Sequence, residues 1–197
     1  MVQRSLKFYW DMTQLVKENT NIQDVKIFLI EHDLQYQINL FKTSKDEVLQ
    51  LYDDTICYTI IGGSSADKKE WRSNFHVGKL VDVNGALIHE GFHSLAVEVL
   101  EHEKLVKRDS MIWDGHSRGA AAVSVICWIT KEIGFGDGTP KAFKNWVDVP
   151  SFTNVCNPLD PVCHVVPFFK RVGNIVKVIF LRRPHTQYGK HLNKVKK

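Results

Sequence analysis

The segment 110–123 limits the fold of this chain more than any other part of its 197 residues. It begins with the apolar run 110–113, continues through Gly-His-Ser-Arg-Gly at 115–119, and ends in small residues at 120–123. A short apolar run favours a buried strand, and alanines favour a helix. Glycines at 115 and 119 permit a turn too sharp for larger side chains. The sequence therefore predicts a strand, a tight turn and a helix in succession, with Ser117 at the tip of the turn.

A serine in this position is typical of a nucleophile elbow. The following helix would direct its first backbone N–H groups, which favour negative charge, toward the same point. A serine hydroxyl is a weak nucleophile at neutral pH, so Ser117 would need a histidine to accept its proton and a carboxylate to orient that histidine.

Alternating strands and helices predict a three-layer α/β domain with a mostly parallel sheet. Residues 6–16 carry an apolar stripe typical of a packed helix, and the runs 36–42 and 55–61 are typical of strands. Further along the chain, the predicted elements are a helix at 90–106, a strand at 110–113, a helix from 118 to about 133, a turn-rich segment at 134–140, and strands near 153–156 and 175–181.

The composition is ordinary for a soluble globular protein, with 44% hydrophobic and 24% charged residues. We expect one compact domain over 1–197, with an N-terminal helix and strand region at 1–54 and a basic tail at 190–197. The net charge of +4 is small. It indicates no nucleic-acid partner and at most peripheral membrane contact, and the oligomeric state stays open.

Two further features bear on cellular context. The first residues do not resemble a signal peptide, and no apolar run approaches the roughly 20 residues of a membrane span, so we expect a cytoplasmic protein. The four cysteines lack the Cys-x-x-Cys spacing and are expected to be buried free thiols. Cys156 and Cys163 are close enough in sequence for a disulfide in an exported chain, which is the less favoured interpretation.

The order of the catalytic groups in this architecture is serine, acid, histidine. The possible acids after Ser117 are Asp137, Asp148 and Asp160, and the possible bases are His164, His185 and His191. Asp160 directly follows a predicted strand in a loop stiffened by prolines. A capping or surface role is expected for the other two aspartates.

Among the histidines, His185 follows the predicted strand 175–181 after a short connection. His191 lies in the basic tail, where a rigid base is less readily held. His185 is therefore the favoured base, and His191 is the alternative.

Six segments resemble motifs of the class 3 lipase family of α/β-hydrolases, the fungal triacylglycerol lipase type, and they follow the family's order over positions 55–191. They are Ile61-Gly62-Gly63-Ser64, Trp71, Ile88-His89-Glu90-Gly91-Phe92, the elbow with Ala120, Gly134-Phe135-Gly136 with Pro140, and Asn157-Pro158-Leu159-Asp160-Pro161-Val162. Each motif is weak by itself, but their common order is far more specific.

The resemblance implies that Ser117 is the nucleophile, Asp160 the orienting acid and His185 the base. It also implies an oxyanion hole formed by the backbone N–H of Arg118 and by Ser64, where each donor typically contributes about 3 kcal/mol. The implied activity is hydrolysis of carboxylic esters or lipid acyl groups through an acyl-enzyme. No cofactor or metal is implied.

Two departures from the family pattern concern the substrate. Arg118 replaces the usual leucine after the serine, and its cation either favours anionic or polar substrates or is simply solvated. The segment 65–88 is more polar than a lipase lid, which argues against a true interfacial lipase.

Two other functions are possible alternatives. The run His89-Glu90-Gly91-Phe92-His93 matches the HExxH motif of zinc metallopeptidases, with Glu98, Glu101 or His102 as third ligand. However, Gly91 weakens the helix that this motif needs. In the hydrolase interpretation His89 forms a local hydrogen bond. The remaining alternative is a catalytically silent interaction module on a hydrolase fold.

Overall fold

The structure, a computed structural model, describes residues 5–16, 20–44, 46–63, 79–164, 166 and 168–179. The helices in these ranges are α1 (Leu6–Leu15), α2 (Ile22–Glu31), α3 (Glu90–Leu100) and α4 (Arg118–Thr130), with a short 3-10 helix at Pro161–His164. The strands are β1 (Gln37–Lys42), β2 (Glu47–Tyr52), β3 (Ile56–Ile61), β4 (Leu80–Val83), β5 (Ala86–His89), β6 (Ser110–His116), β7 (Ile133–Asp137), β8 (Phe152–Cys156) and β9 (Asn174–Lys177).

Seven of the described strands form one sheet in the order β1-β2-β3-β6-β7-β8-β9, while β4 and β5 form a separate hairpin. The pairs β1-β2 and β2-β3 are antiparallel, and the pairs from β3 to β9 are parallel. The predicted mostly parallel α/β sheet is therefore confirmed. Because parallel strands end at the same edge, the residues that follow β6, β7 and β8 meet at one end of the sheet.

Helices cover both faces of this sheet. One face packs on α1 and α2, through residues such as Phe8, Met12, Val25 and Ile60, and the other packs on α3 and α4, through residues such as Phe92, Trp113, Val123 and Ile126. Side chains alternate between the faces along each strand. In β6, Ile112 belongs to the α1/α2 face and Trp113 to the α3/α4 face, so Asp114 and His116 lie on the α1/α2 face.

Two predicted helices are too long at their C-terminal ends. The first ends at Leu100 instead of 106, where the His102 ring accepts a hydrogen bond from the Lys104 N–H in a turn. The second ends at Thr130 because Lys131 has a left-handed conformation, with φ 64°. The chain then enters β7 directly.

The segment predicted as turn-rich at 134–140 is mainly the strand β7. Its glycines are typical of a turn, but in the structure they allow neighbouring elements to pack directly on the backbone of β7. A Cβ atom on Gly134 would lie 2.3 Å from the Cys127 Sγ of α4. The helix α2, the strand β2 and the β4-β5 hairpin were not predicted at all.

Other expectations are confirmed within the described residues. The N-terminal helix and the strands around 36–42, 55–61 and 153–156 are present. The strand expected at 175–181 begins at Asn174 and ends at Lys177, and positions 180 and 181 lie outside the described residues. All four cysteines are free and buried, so Cys156 and Cys163 are not bridged.

A membrane-spanning helix is not found in the described part of the chain, whose helices are too short or too polar to cross a bilayer.

Candidate active site

The serine at the tip of the predicted turn has the backbone conformation of a nucleophile elbow. Ser117 joins β6 to α4 with φ 54° and ψ −121°, a region that glycine occupies freely and other residues rarely adopt. Its N–H donates to the Asp137 carbonyl oxygen at 2.9 Å, and its own carbonyl accepts from Ala121 at 3.1 Å. Ser117 is therefore fixed on both sides, directly before the first turn of a 13-residue helix.

The two glycines of the elbow are required by close backbone approach. A Cβ atom on Gly119 would lie 2.3 Å from the Ile61 carbonyl oxygen at the end of β3. A Cβ atom on Gly115 would lie 2.6 Å from the Gly119 carbonyl carbon. Both distances are too short for any side chain, so these positions allow β6, α4 and β3 to converge under Ser117.

The chain following β3 passes beside the serine. A Cβ atom on Gly63 would lie 3.4 Å from the Ser117 Cβ, which places this backbone against the elbow. Ser64, the other predicted oxyanion donor, comes next in the sequence but lies outside the described residues. The Arg118 N–H, which belongs to the first turn of α4, is the predicted donor that the structure describes.

Asp160 lies in the loop after β8, at the same end of the sheet. It is fully buried, and its carboxylate accepts hydrogen bonds from the Val162 N–H at 2.9 Å and from the Cys163 thiol at 3.6 Å. The neighbouring Asn157 side chain accepts from the Leu159 N–H and shapes the loop. Asp160 is thus held rigidly at a strand end, as an orienting acid would be.

The histidines that could act as base are only partly described. His185 and His191 lie outside the described residues. His164 is described, and it is exposed at the end of the 3-10 helix, where its Nε2 bonds to the Pro158 carbonyl oxygen at 2.8 Å.

The structure corrects the role expected for Asp137. Instead of capping a turn on the surface, Asp137 ends β7, is 5% exposed, and bonds through its carboxylate to the His116 Nδ1. Because an ionised carboxylate only accepts hydrogen bonds, the His116 Nδ1 carries the proton. Sequence analysis missed this pair because the glycines around Asp137 indicated a turn and concealed β7.

The protonation of His116 follows from its surroundings. Burial lowers the pKa of the ring, but the adjacent Asp137 carboxylate, with help from the charge of Asp160, raises the pKa above its usual value. Trp10 of α1 packs edge-on against the ring at 5.6 Å between centroids.

A third carboxyl group lies on the same face of the sheet. Asp114 in β6 is 2% exposed, and its Oδ1 accepts from the Gly115 N–H at 2.9 Å. Its Oδ2 has no hydrogen-bond partner among the described residues. Burial raises the pKa of Asp114 well above its usual range, and the charge of Asp137 raises it further, so the neutral form of Asp114 is favoured.

The Arg118 side chain does not have the solvated position that was one of the two alternatives expected for it. It is not solvated, since it is only 14% exposed, and its Nη2 donates at 2.6 Å to Oδ1 of the buried Asp46. The Asp46 carboxylate compensates most of the positive charge of the Arg118 guanidinium. Arg118 and Asp46 line one side of a cleft of about 240 Å³, whose opposite wall is the N-terminal half of α3. Ser117 is not among the lining residues of that cleft.

The geometry of the HExxH match is unlike that of a zinc helix. The helix α3 begins at Glu90, so His89 precedes it as the N-cap, and the His89 Nδ1 accepts the Gly91 N–H at 3.2 Å. The local hydrogen bond expected for His89 is thus present. Glu98 accepts from the Ser44 hydroxyl at 2.9 Å, and His102 bonds to the Lys42 carbonyl oxygen at 3.2 Å. Within the described residues, three or more metal-binding side chains do not come together anywhere.

Searches by sequence found no family model that matches this chain, and no curated protein matches it either. Solved structures do match. The triacylglyceride lipase of Rhizomucor miehei aligns with a TM-score of 0.65 and 18% identity over 88% of this chain and 78% of that one.

Two other similar structures are also lipases. One is a triacylglycerol lipase whose catalytic centre is a serine protease triad, with a TM-score of 0.58 and 14% identity over 83% of this chain and 82% of that one. The other is a fungal lipase, with a TM-score of 0.52 and 14% identity over 73% of this chain and 64% of that one. At such low identity the likeness establishes the fold, so this chain has the α/β-hydrolase fold that the fungal triacylglycerol lipases share.

Proposed function

We propose that the protein is a serine hydrolase that cleaves carboxylic esters, including lipid acyl esters, through an acyl-enzyme. The observation that carries the proposal is the conformation of Ser117, with φ 54° and ψ −121° between β6 and α4. Such a strained backbone persists only when its surroundings enforce it, and it is typical of active sites. The shared fold with lipases supports an ester as the substrate.

In the proposed mechanism the Ser117 Oγ attacks the ester carbonyl carbon while His185 accepts the hydroxyl proton. Asp160 orients His185 and stabilises its charged form. The carbonyl oxygen becomes an oxyanion, which the N–H of Arg118 and the N–H or hydroxyl of Ser64 stabilise.

Collapse of the tetrahedral intermediate breaks the bond to the alcohol oxygen. His185 returns the proton to that oxygen, the alcohol leaves, and the acyl group remains on Ser117. A water molecule then releases the acid, with His185 again acting as base. His191 is the alternative base in the same scheme.

The environment of Arg118 favours a neutral ester over an anionic one. Its guanidinium is paired with the buried Asp46 carboxylate at 2.6 Å, so little net positive charge remains beside the nucleophile. An anionic substrate would therefore gain less from this cation than from an arginine without a carboxylate beside it. We therefore propose an uncharged carboxylic ester as the preferred substrate.

The test is hydrolysis of p-nitrophenyl acyl esters, measured with and without a metal chelator. We expect turnover that persists in chelator and is lost in Ser117→Ala. Separate Ala substitutions of His185 and His191 identify the base, and loss of activity is expected only for His185. Turnover lost in chelator but kept in Ser117→Ala would support the zinc alternative. A well-folded protein without turnover would support the silent interaction module.

A further inference from the structure

Asp137 contacts two consecutive residues of the elbow, His116 and Ser117. Its main-chain carbonyl accepts the Ser117 N–H at 2.9 Å, and its carboxylate accepts the proton of the His116 Nδ1. The first contact continues the pairing of β6 with β7 and would form with any residue at 137. The second contact requires the carboxylate and the imidazole.

We propose that Asp137 and His116 are positioning residues that hold Ser117 in its strained conformation. The inference rests on the proposed role of Ser117 as nucleophile. The two side chains lie beneath the elbow, on the α1/α2 face of the sheet, and they act on the reaction only through Ser117.

The burial of the pair makes it a rigid connection. The side chains of His116 and Asp137 are 18% and 7% exposed. Trp10 of α1 closes off the ring from the side, with its indole edge-on at 5.6 Å. A charge-assisted hydrogen bond that is shielded from water is stronger than the same bond at a surface. The ring therefore fixes the end of β6 to the end of β7.

The charges around His116 favour its protonated form. Among the described residues, Asp137 of β7 and Asp160 of the loop after β8 are the carboxylates whose charge acts on the ring. Asp114 lies two positions earlier on the same face of β6, and α1 contributes the uncharged Trp10. The neighbouring carboxylates raise the pKa of His116, so the ring stays protonated over a wider pH range. The Nδ1 of His116 bonds to Asp137 beneath the elbow, so the role proposed for His116 is to position Ser117, and the catalytic role stays with His185.

Loss of the connection is expected to lower the reactivity of Ser117. The φ and ψ values of Ser117 are strained for a residue with a side chain. Without the side-chain contact the turn can relax and displace the Oγ atom. A displacement of about 1 Å in an active site lowers rates by roughly a hundredfold.

The experiment measures how fast a fluorophosphonate probe modifies Ser117, together with kcat and KM for a p-nitrophenyl ester. We expect Asp137→Ala and His116→Leu each to lower the labelling rate and kcat by at least about tenfold, with KM nearly unchanged. The double variant is expected to be no slower than either single variant, because one interaction is lost in all three.

Asp137→Asn, which keeps an acceptor, is expected to be intermediate. Asp148→Ala is the matched control at an exposed aspartate and is expected to match the wild type.

A labelling rate in Asp137→Ala within twofold of the wild type would overturn the inference, as would additive losses in the double variant. If the Ala variant does not fold, the pKa of His116, measured by NMR titration in Asp137→Asn, tests the inference instead. We expect a clearly lower His116 pKa there, and an unchanged value would overturn the inference. A wild type that is neither labelled nor active would instead contradict the proposed function.

Discussion

At the scale of single residues, the strained conformation of Ser117 carries a local cost in stability. Its left-handed φ of 54° is one that a glycine would adopt without strain. A glycine there would remove the hydroxyl that the proposed chemistry needs, which gives a reason for a strained serine at this position. A trade-off of this kind is common at active sites.

Replacement of Ser117 by glycine is expected to stabilise the protein relative to Ser117→Ala by about 1–2 kcal/mol. Both variants lack the hydroxyl, and only glycine relieves the backbone strain. The free energy of unfolding in urea measures the difference. A Ser117→Gly variant less stable than Ser117→Ala would show that the conformation is not strained.

Asp114 makes stability depend on pH. Its pKa is raised in the folded state by burial, so the native protein keeps a proton that the unfolded chain loses as pH rises above about 4. The free energy of unfolding therefore falls as pH rises through this range. The raised pKa of His116 acts in the same direction, above about pH 6.5.

Asp114→Asn mimics the neutral acid, so we expect unfolding curves that vary less with pH between about 5 and 8. The variant is expected to be at least as stable as the wild type at pH 8. Asp148→Asn, at an exposed position, provides the comparison. A pH dependence unchanged by Asp114→Asn would mean that this carboxyl group is ionised in the native protein.

The sequence was sufficient to predict positions that depend on local chain conformation. The flanking glycines of Ser117 indicated its sharp turn, and the prolines around Asp160 indicated a stiff loop after a strand. His116 and Asp137 could not be paired in advance, because 21 positions separate them and only the parallel pairing of β6 with β7 brings them together.

At the scale of elements, the site depends on how closely α4 approaches β3. Gly119 lies in the first turn of α4, where a Cβ atom would be 2.3 Å from the Ile61 carbonyl oxygen and 2.7 Å from that of Gly62. Both neighbours are backbone atoms and cannot move aside as a flexible side chain would. The helix must shift if this position carries any side chain.

Gly119→Ala is therefore expected to lower the free energy of unfolding by about 2 kcal/mol or more and to reduce the proposed esterase activity strongly. Gly91 is the matched control in α3, since its added Cβ would be 3.4 Å from the His89 ring, an ordinary contact. Gly91→Ala is expected to raise stability by up to about 1 kcal/mol. Equal effects of the two substitutions would contradict this account of the packing.

Elements with clear periodicity were predictable, and elements shaped by tertiary packing were not. The strand β3 has a continuous buried run and was recognised from it. By contrast, β7 contains Gly134 and Gly136 because α4 and β8 pack directly on its backbone. A local pattern carries no information about such contacts, so the same glycines indicated a turn.

At the scale of the whole molecule, the antiparallel edge of the sheet depends on a buried carboxylate. Glu47 begins β2 and is 8% exposed; its Oε2 accepts the Thr20 N–H at 2.7 Å, and its Oε1 pairs with the Lys42 Nζ at 2.9 Å. Burial opposes ionisation, but these contacts outweigh it and lower the pKa of Glu47 from 4.5 to about 2.

The depressed pKa means that Glu47 stabilises the fold above about pH 4.5 and that this contribution is lost as pH falls toward 2. We expect Glu47→Gln to lower the free energy of unfolding by about 2 kcal/mol at pH 7 and by much less near pH 2. The exposed Glu101→Gln is the control. An equal loss in the free energy of unfolding at both pH values would show that Glu47 stabilises the fold through packing and not through its charge.

We propose that Ser117 is an activated nucleophile, and the position of a covalent adduct tests this proposal most directly. The protein is treated with a fluorophosphonate, digested, and analysed by peptide mass spectrometry. We predict near-complete phosphonylation of Ser117, with parallel loss of ester hydrolysis, in the presence or absence of chelator. Ester hydrolysis that persists while Ser117 remains unmodified, or an adduct on another residue, would contradict the account.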